Sequence, residues 1–328
     1  MLVAVKLADI FSAIQSTETR IAYLVLNSLR KVMTTKNNKT VPLVLGSGDA
    51  RGLAHIGVIH WLEENDFKVK SISGCSIGAL IGGIYAAGKL DDFENWVQAI
   101  TKVDIVKSQD LSWKKSGLVK GDKLINTLTE LVGDIAIEDL PIAYTAVATD
   151  ILNEKEVWMN SGRLFDAIRA SISLPLFFIP FRYEDVDLID GGVLNPVPIA
   201  PTFNDATGFT IAVNLCGKVD NAERITTKKS STSKNDPSFT EKIIDFVESI
   251  KDSTSSNMGK DWGAYEIANQ AFDVMQSTIA RQKLAAYPAD HILEIPRNAC
   301  GILEFDRASE MIELGYNMAE ERLSKLAE

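Results

Sequence analysis

Gly74-Cys75-Ser76-Ile77-Gly78 is the stretch that most narrows what this chain can fold into. An apolar, strand-like run over residues 69–73 leads into it, and a small-residue, helix-like run over residues 77–87 leads out. G-x-S-x-G between a strand and a helix is a nucleophile elbow, a tight turn that lifts a serine hydroxyl above the end of a sheet. Gly74 and Gly78 have a steric task there, because strand and helix backbones come too close to leave room for a Cβ. The turn strains the Ser76 backbone, and the helix N-terminus behind it favours negative charge. Cys75 offers a rival thiol nucleophile. It sits one residue off the apex, so its side chain is expected to point into the core.

A chain of 328 residues, 46% of them hydrophobic, can bury a full core as one large domain or as one domain with appendages. Residues 41–45 read as a short buried strand, residues 46–52 as a glycine-rich loop, and residues 53–65 as a helix with Leu53, Ile56, Ile59 and Leu62 along one face. The strand at 69–73 and the helix at 77–88 follow. Strand, loop, helix, strand, turn and helix in this order imply a parallel sheet with helices on its faces. Further strands are predicted at 142–149, 156–159, 210–215 and 291–295, and further helices at 164–170, 241–250, 265–285 and 309–327. The polar stretch 104–120 around Trp113 is a candidate cover for a site, and residues 218–237 read as a mobile surface loop. Residues 1–40 form an N-terminal extension, a loosely helical stripe ending in a polar tether, and residues 41–328 form the main domain.

The net charge of −10 argues against a nucleic-acid surface and against strong attraction to anionic lipid heads. The three cysteines, Cys75, Cys216 and Cys300, are far apart and form no C-x-x-C, so neither a disulfide scaffold nor a zinc site is expected. No apolar run reaches the ~18 residues of a membrane-spanning helix. The apolar start of the chain is interrupted at Lys6 and Asp9 with no small-residue cleavage site after it, so a secretory signal is not expected. The expected compartment is the cytoplasm, with peripheral contact to a membrane left open. No metal and no cofactor are expected, and the sequence does not fix an oligomeric state.

A serine nucleophile needs a base and an oxyanion site. Gly46-Ser47-Gly48-Asp49-Ala50-Arg51-Gly52 follows the first strand and opens a helix, so its N–H groups can converge on an anion. The candidate donors are Gly48, Asp49, Ala50 and Arg51, with Gly46, Ser47 and Gly52 shaping the loop. It fits neither G-x-G-x-x-G nor the P-loop pattern, which argues against a nucleotide. Two bases compete. His291 is the one histidine of three that follows Ser76, as a Ser…Asp…His order requires, though it opens an apolar, strand-like run. His55 and His60 lie in the helix after the glycine loop and are expected to cap or pack there. Asp190, in Leu188-Ile189-Asp190-Gly191-Gly192, is delivered by an apolar run into a turn whose two glycines leave little bulk around the carboxylate.

Three blocks carry a family resemblance. Gly-Ser-Gly-Asp-Ala-Arg-Gly-Leu-Ala-His-Ile-Gly-Val, Gly-Cys-Ser-Ile-Gly-Ala-Leu and Asp-Gly-Gly-Val-Leu-Asn-Pro-Val-Pro, in that order, resemble the signature blocks of bacterial patatin-like phospholipases. Residues 116–122 and 170–175 are similar to the family's intervening stretches, and the resemblance covers roughly residues 41–217. It implies a three-layer α/β/α sandwich with a mainly parallel central sheet. It also implies a Ser76–Asp190 dyad without a catalytic histidine, an oxyanion hole from the glycine-rich loop, and acyl esters of lipids as substrates. Where the family usually carries consecutive glycines, this chain has Ser47 and Asp49. The expectation for Asp49 is a side chain turned away from Ser76, toward Arg51. The alternative is a catalytically weak regulator that binds a lipid or a partner.

Overall fold

The computed structural model describes residues 39–103, 121–205, 207–219, 264–302 and 304–327. The expectations for the N-terminal extension, for 104–120, for most of the 218–237 loop and for a helix at 241–250 fall outside them. In chain order the strands are β1 (Thr40–Leu45), β2 (Lys68–Cys75), β3 (Ala143–Asp150), β4 (Lys155–Met159), β5 (Phe181–Tyr183), β6 (Val186–Asp190), β7 (Ile211–Gly217) and β8 (His291–Pro296). The helices are α1 (Ala54–Glu64), α2 (Ile77–Ala86), α3 (Leu90–Val103), α4 (Asp122–Val132), α5 (Leu164–Ser171), α6 (Ala264–Ala286) and α7 (Ala308–Ala327).

Pleating explains the layers. Successive side chains of a strand point to opposite faces. In β1, Leu43 and Leu45 enter a large core with Ile56 and Ile59 of α1, Ile81 of α2 and Leu323 of α7. Val44 faces the other way, into a smaller core with Ala212 of β7 and Ala280 of α6. Both faces of the sheet are therefore covered by helices, and the strands read as unbroken apolar runs rather than alternating ones. Hydrogen-bonded neighbours follow one another as β5-β6-β3-β2-β1-β7-β8, and β4 pairs with β3 off this path. Strands β3, β2, β1, β7 and β8 are mutually parallel; β4 and β6 run antiparallel to β3, and β5 runs antiparallel to β6. This is the three-layer α/β/α arrangement with a mostly parallel sheet that the sequence implies. Among the described residues no helix is long and apolar enough to cross a membrane.

Each strand and helix predicted within the described residues forms, with ends shifted by no more than two residues. Four elements come in addition: α3, α4, β5 and β6. The hairpin of β5 and β6 matters most, because it breaks the parallel pattern and carries Asp190. Its strands have three and five residues and include Arg182 and Asp187, which pair with each other, so no apolar alternation marks them.

The β3 ladder sets the position of the site. Cys75 pairs with Val147, and Asp190 pairs with Ala148, the next residue. Val157 and Trp158 of β4 occupy the far edge of β3 at these rungs, so β2 and β6 share the near edge. They run toward each other and meet end to end. Ser76 and Asp190 are delivered to one point by two strands of opposite direction.

Candidate active site

Ser76 caps α2 with φ 55° and ψ −125°, a conformation that costs a non-glycine residue on the order of 1–3 kcal/mol. Its surroundings hold it there. The Ser76 N–H donates to Ser171 Oγ at 2.8 Å, and that hydroxyl donates to the Val147 carbonyl at 2.6 Å. The elbow is thus tied to β3 through Ser171, which is wholly buried at the end of α5. A Cβ on Gly78 would lie 2.1 Å from the Leu45 carbonyl oxygen, so strand β1 presses directly on the first turn of α2.

Ser76 Oγ donates to Asp190 Oδ2 at 2.5 Å, and Asp190 is wholly buried. The other carboxylate oxygen accepts from the Gly192 N–H at 2.7 Å and lies 3.9 Å from the Cys75 sulfur. Burial pushes the Asp190 carboxyl up to about 7. The bonds from Ser76, Gly192 and Cys75 pull it down, and the negative charge of Asp49 pushes it further up. Burial of this kind turns a weak carboxylate base into one that titrates near neutrality, where it can take a proton from an alcohol. Cys75 points into the core as expected. Its thiol is raised well above the ordinary range by burial and by Asp190, which leaves it a poor nucleophile.

The glycine-rich loop lies beside this pair. The N–H groups of Gly46 and Ser47 are taken by the carbonyls of Val213 and Pro196, and that of Ala50 by Ile302. The N–H groups of Gly48 and Asp49 donate to no group among the described residues. Of the four proposed donors, Ala50 is engaged, while Gly48 and Asp49 have no such partner. A Cβ on Gly48 would lie 2.4 Å from Leu215 Cβ, so only glycine lets the loop settle on β7. Arg51 is 2% exposed and works on shape. Its Nε donates to the Gly48 carbonyl at 3.1 Å, Nη1 to the Arg297 carbonyl at 2.5 Å and Nη2 to Asp273 Oδ1 at 3.1 Å. Asp49 Oδ2 is 3.8 Å from Arg51 Nη2, so its carboxylate does face Arg51. Burial raises the Asp49 carboxyl to about 6, with Arg51 lowering it and Asp273 raising it.

The histidines sit elsewhere. His55 Nε2 is 2.9 Å from the Gly46 carbonyl, which can only accept, so Nε2 carries the proton. Burial lowers its pKa to about 4 and keeps the ring neutral, as a prop under the loop. His60 is 3.3 Å from Glu94. His291 opens β8, level with Ile72 through Ile211 and Leu43. It stands three strands across and four residues short of Ser76, roughly 20 Å away. That is too far for a base, and the triad alternative falls. Ser171 and Asp273 are site-building residues that no motif marked, although Ser171 lies within the 170–175 stretch. Among the described residues no His, Cys, Asp or Glu group is gathered as a metal site requires.

The profile of the family described as Patatin-like phospholipase matches residues 43–203. An uncharacterized NTE family protein of Mycobacterium tuberculosis is 36% identical over 327 residues, covering 86% of this chain and 91% of that protein. Lysophospholipase NTE1 of Debaryomyces hansenii is 30% identical over 202 residues, 59% of this chain. That match spans 13% of the yeast protein's own length, so most of the yeast protein has no counterpart here. In three dimensions the crystal structure of VipD from Legionella pneumophila superposes with a TM-score of 0.50 at 15% identity, covering 88% of this chain and 67% of VipD. At that identity the likeness concerns the fold alone.

Proposed function

We propose, from the premise that this chain belongs to the patatin-like phospholipase family, that it is a lipolytic ester hydrolase acting through Ser76 and Asp190. The observation that carries this reading is the 2.5 Å contact between Ser76 Oγ and a wholly buried Asp190. As Ser76 Oγ attacks the ester carbonyl carbon, Asp190 accepts its proton. The carbonyl oxygen, now negative, is met by the N–H groups of Gly48 and Asp49. Collapse expels the alcohol, which takes the proton from Asp190, and leaves an acyl group on Ser76. Water then attacks with Asp190 again as base, releasing the fatty acid. The helix dipole of α2 favours negative charge at the same place. Because the yeast relatives are named lysophospholipases, a single-chain phospholipid heads the list of substrates.

The test is to treat the purified protein with a fluorophosphonate probe, map the adduct, and measure fatty acid released from lysophosphatidylcholine and from a short p-nitrophenyl ester. The expected result is an adduct on Ser76 together with turnover of at least one ester. A folded protein that neither labels nor turns over would overturn the reading in favour of a binding regulator.

Asp49 gives a finer expectation. Its carboxylate is engaged by Arg51, while in this reading its N–H, which glycine would keep, is the part that meets the oxyanion. Asp49→Gly should therefore change kcat by less than about tenfold, or ~1.4 kcal/mol. Removing its negative charge lets Asp190 ionise at lower pH, so the acid limb of the rate profile should move down. A pH series of kcat for both forms decides it. A hundredfold rise in the glycine form would mean that Asp49 obstructs the site.

A further inference from the structure

Helix α6 lies beyond residues 43–203, the stretch matched by the family profile, yet one of its faces reaches the site at three points. Asp273 Oδ1 accepts from Arg51 Nη2 at 3.1 Å, and Gln276 Nε2 donates to Ser47 Oγ at 3.1 Å. Lys283 Nζ reaches Glu156 Oε1 at 2.5 Å, and Glu156 also accepts from Asn195 at 2.9 Å, just past the Asp190-Gly191-Gly192 turn. Positions 273, 276, 280 and 283 follow the three- and four-residue spacing of a single helix face. Ala280, wholly buried, lies in the middle of that stripe. A polar stripe turned inward on a helix is costly unless each group finds a partner.

Gln276 is the most deeply placed of the three and is 2% exposed. A Cβ on Gly192 would lie 2.2 Å from Gln276 Nε2, 2.8 Å from Ser47 Oγ and 3.0 Å from Asp190 Oδ1. The carboxamide therefore fills the space over Gly192, with the glycine loop on one side and the base on the other. We propose that Gln276 is a positioning residue, which locks Ser47, and through it the N–H groups of Gly48 and Asp49, at a fixed distance from Asp190. The inference rests on Ser76 and Asp190 being the reacting pair. A neutral amide suits the task, because it donates to Ser47 without adding charge beside a carboxylate that must cycle between ionised and protonated.

The test compares wild type, Gln276→Met, Gln276→Glu, Ser47→Ala and the double variant Ser47→Ala/Gln276→Met on one p-nitrophenyl ester, with Ser76→Ala as the blank. Methionine keeps length and removes the donor, so kcat should fall about ten- to a hundredfold with KM within about twofold, since the contact serves the transition state. The acid limb of the profile should stay in place for methionine. For glutamate it should move up by about one pH unit, because a second carboxylate faces Asp190. Ser47→Ala should lose a similar factor, and the double variant should lose little more than either single one, as expected for two ends of one contact. Unchanged kcat in Gln276→Met, or fully additive losses in the double variant, would overturn the role. If the methionine form fails to fold, Ser47→Ala reads the same contact, and unchanged kcat there overturns it. Wild type no more active than Ser76→Ala would remove the underlying reading, and this inference with it.

Discussion

Asp190→Asn should lower kcat by ~10²–10⁴-fold and, at the same time, make the folded protein harder to unfold at pH 8. Both effects follow from the burial of one carboxylate. Asparagine cannot accept the Ser76 proton, so the rate falls. The stability effect comes from linkage. In the unfolded chain Asp190 ionises near its ordinary value of 3.8, and in the fold only at about 7. Below pH 4 both states hold the proton, and the fold suffers no loss. As pH rises from about 4 to 7 the unfolded chain gives up a proton that the fold still holds, so stability falls across that window. Above pH 7 the loss is complete, on the order of 4 kcal/mol. Asparagine has no such proton. Its amide keeps an acceptor for the Gly192 N–H and turns a donor to Ser76 Oγ, so no buried group is orphaned. The difference in unfolding free energy between variant and wild type should thus grow from pH 5 to pH 8, read from urea curves at both values. The same difference at both pH values would mean that Asp190 is ordinary in its ionisation.

Gly78→Ala should abolish the fold or reduce its stability by more than about 4 kcal/mol. Two effects oppose each other at this position. Alanine in a helix gains about 1 kcal/mol over glycine. Against that, the new Cβ would meet the Leu45 carbonyl oxygen at 2.1 Å, its carbon at 2.5 Å and the Gly46 oxygen at 2.8 Å. All three are backbone atoms, and Leu45 is fixed from both sides by Gly74 of β2 and Val213 of β7. Neither strand nor helix can yield without opening the sheet, so the clash wins. Gly88→Ala is the control: its φ of 68° strains alanine, but nothing lies within 4 Å, and a loss of only ~1–2 kcal/mol is expected. Soluble yield and urea midpoints separate the two. An alanine at position 78 that leaves the midpoint where it was would mean that helix and strand are looser than drawn.

The two residues proposed to react were legible because each sits in a pattern with a physical cause. Ser76 lies between an apolar strand and a small-residue helix, and Asp190 ends an apolar run before two glycines. The layers were legible for the same reason, since buried parallel strands show as unbroken apolar runs. What lay hidden was polar or short. The direction of β6 rests on three rungs against β3, too few to leave a period. Asp273 and Gln276 are polar residues on a long helix, and polarity on a helix reads as solvent until its partners, Arg51 and Ser47, are in view. Ala50 looked like a donor by position alone. Its N–H is spoken for by Ile302, more than two hundred residues along the chain.

The head-to-head meeting of β2 and β6 on one edge of β3 has a bearing on how such a chain can change over generations. Cys75, which precedes the proposed nucleophile, and Asp190, the proposed base, are indexed to adjacent rungs, Val147 and Ala148, and not to the lengths of the segments that join them. Insertions in those connecting segments leave the spacing of the pair untouched. A slip of β6 by one rung does not, because it turns every side chain to the opposite face and offers Ile189 or Gly191 where the carboxylate belongs. The chain between can drift in length; the ladder cannot drift by one.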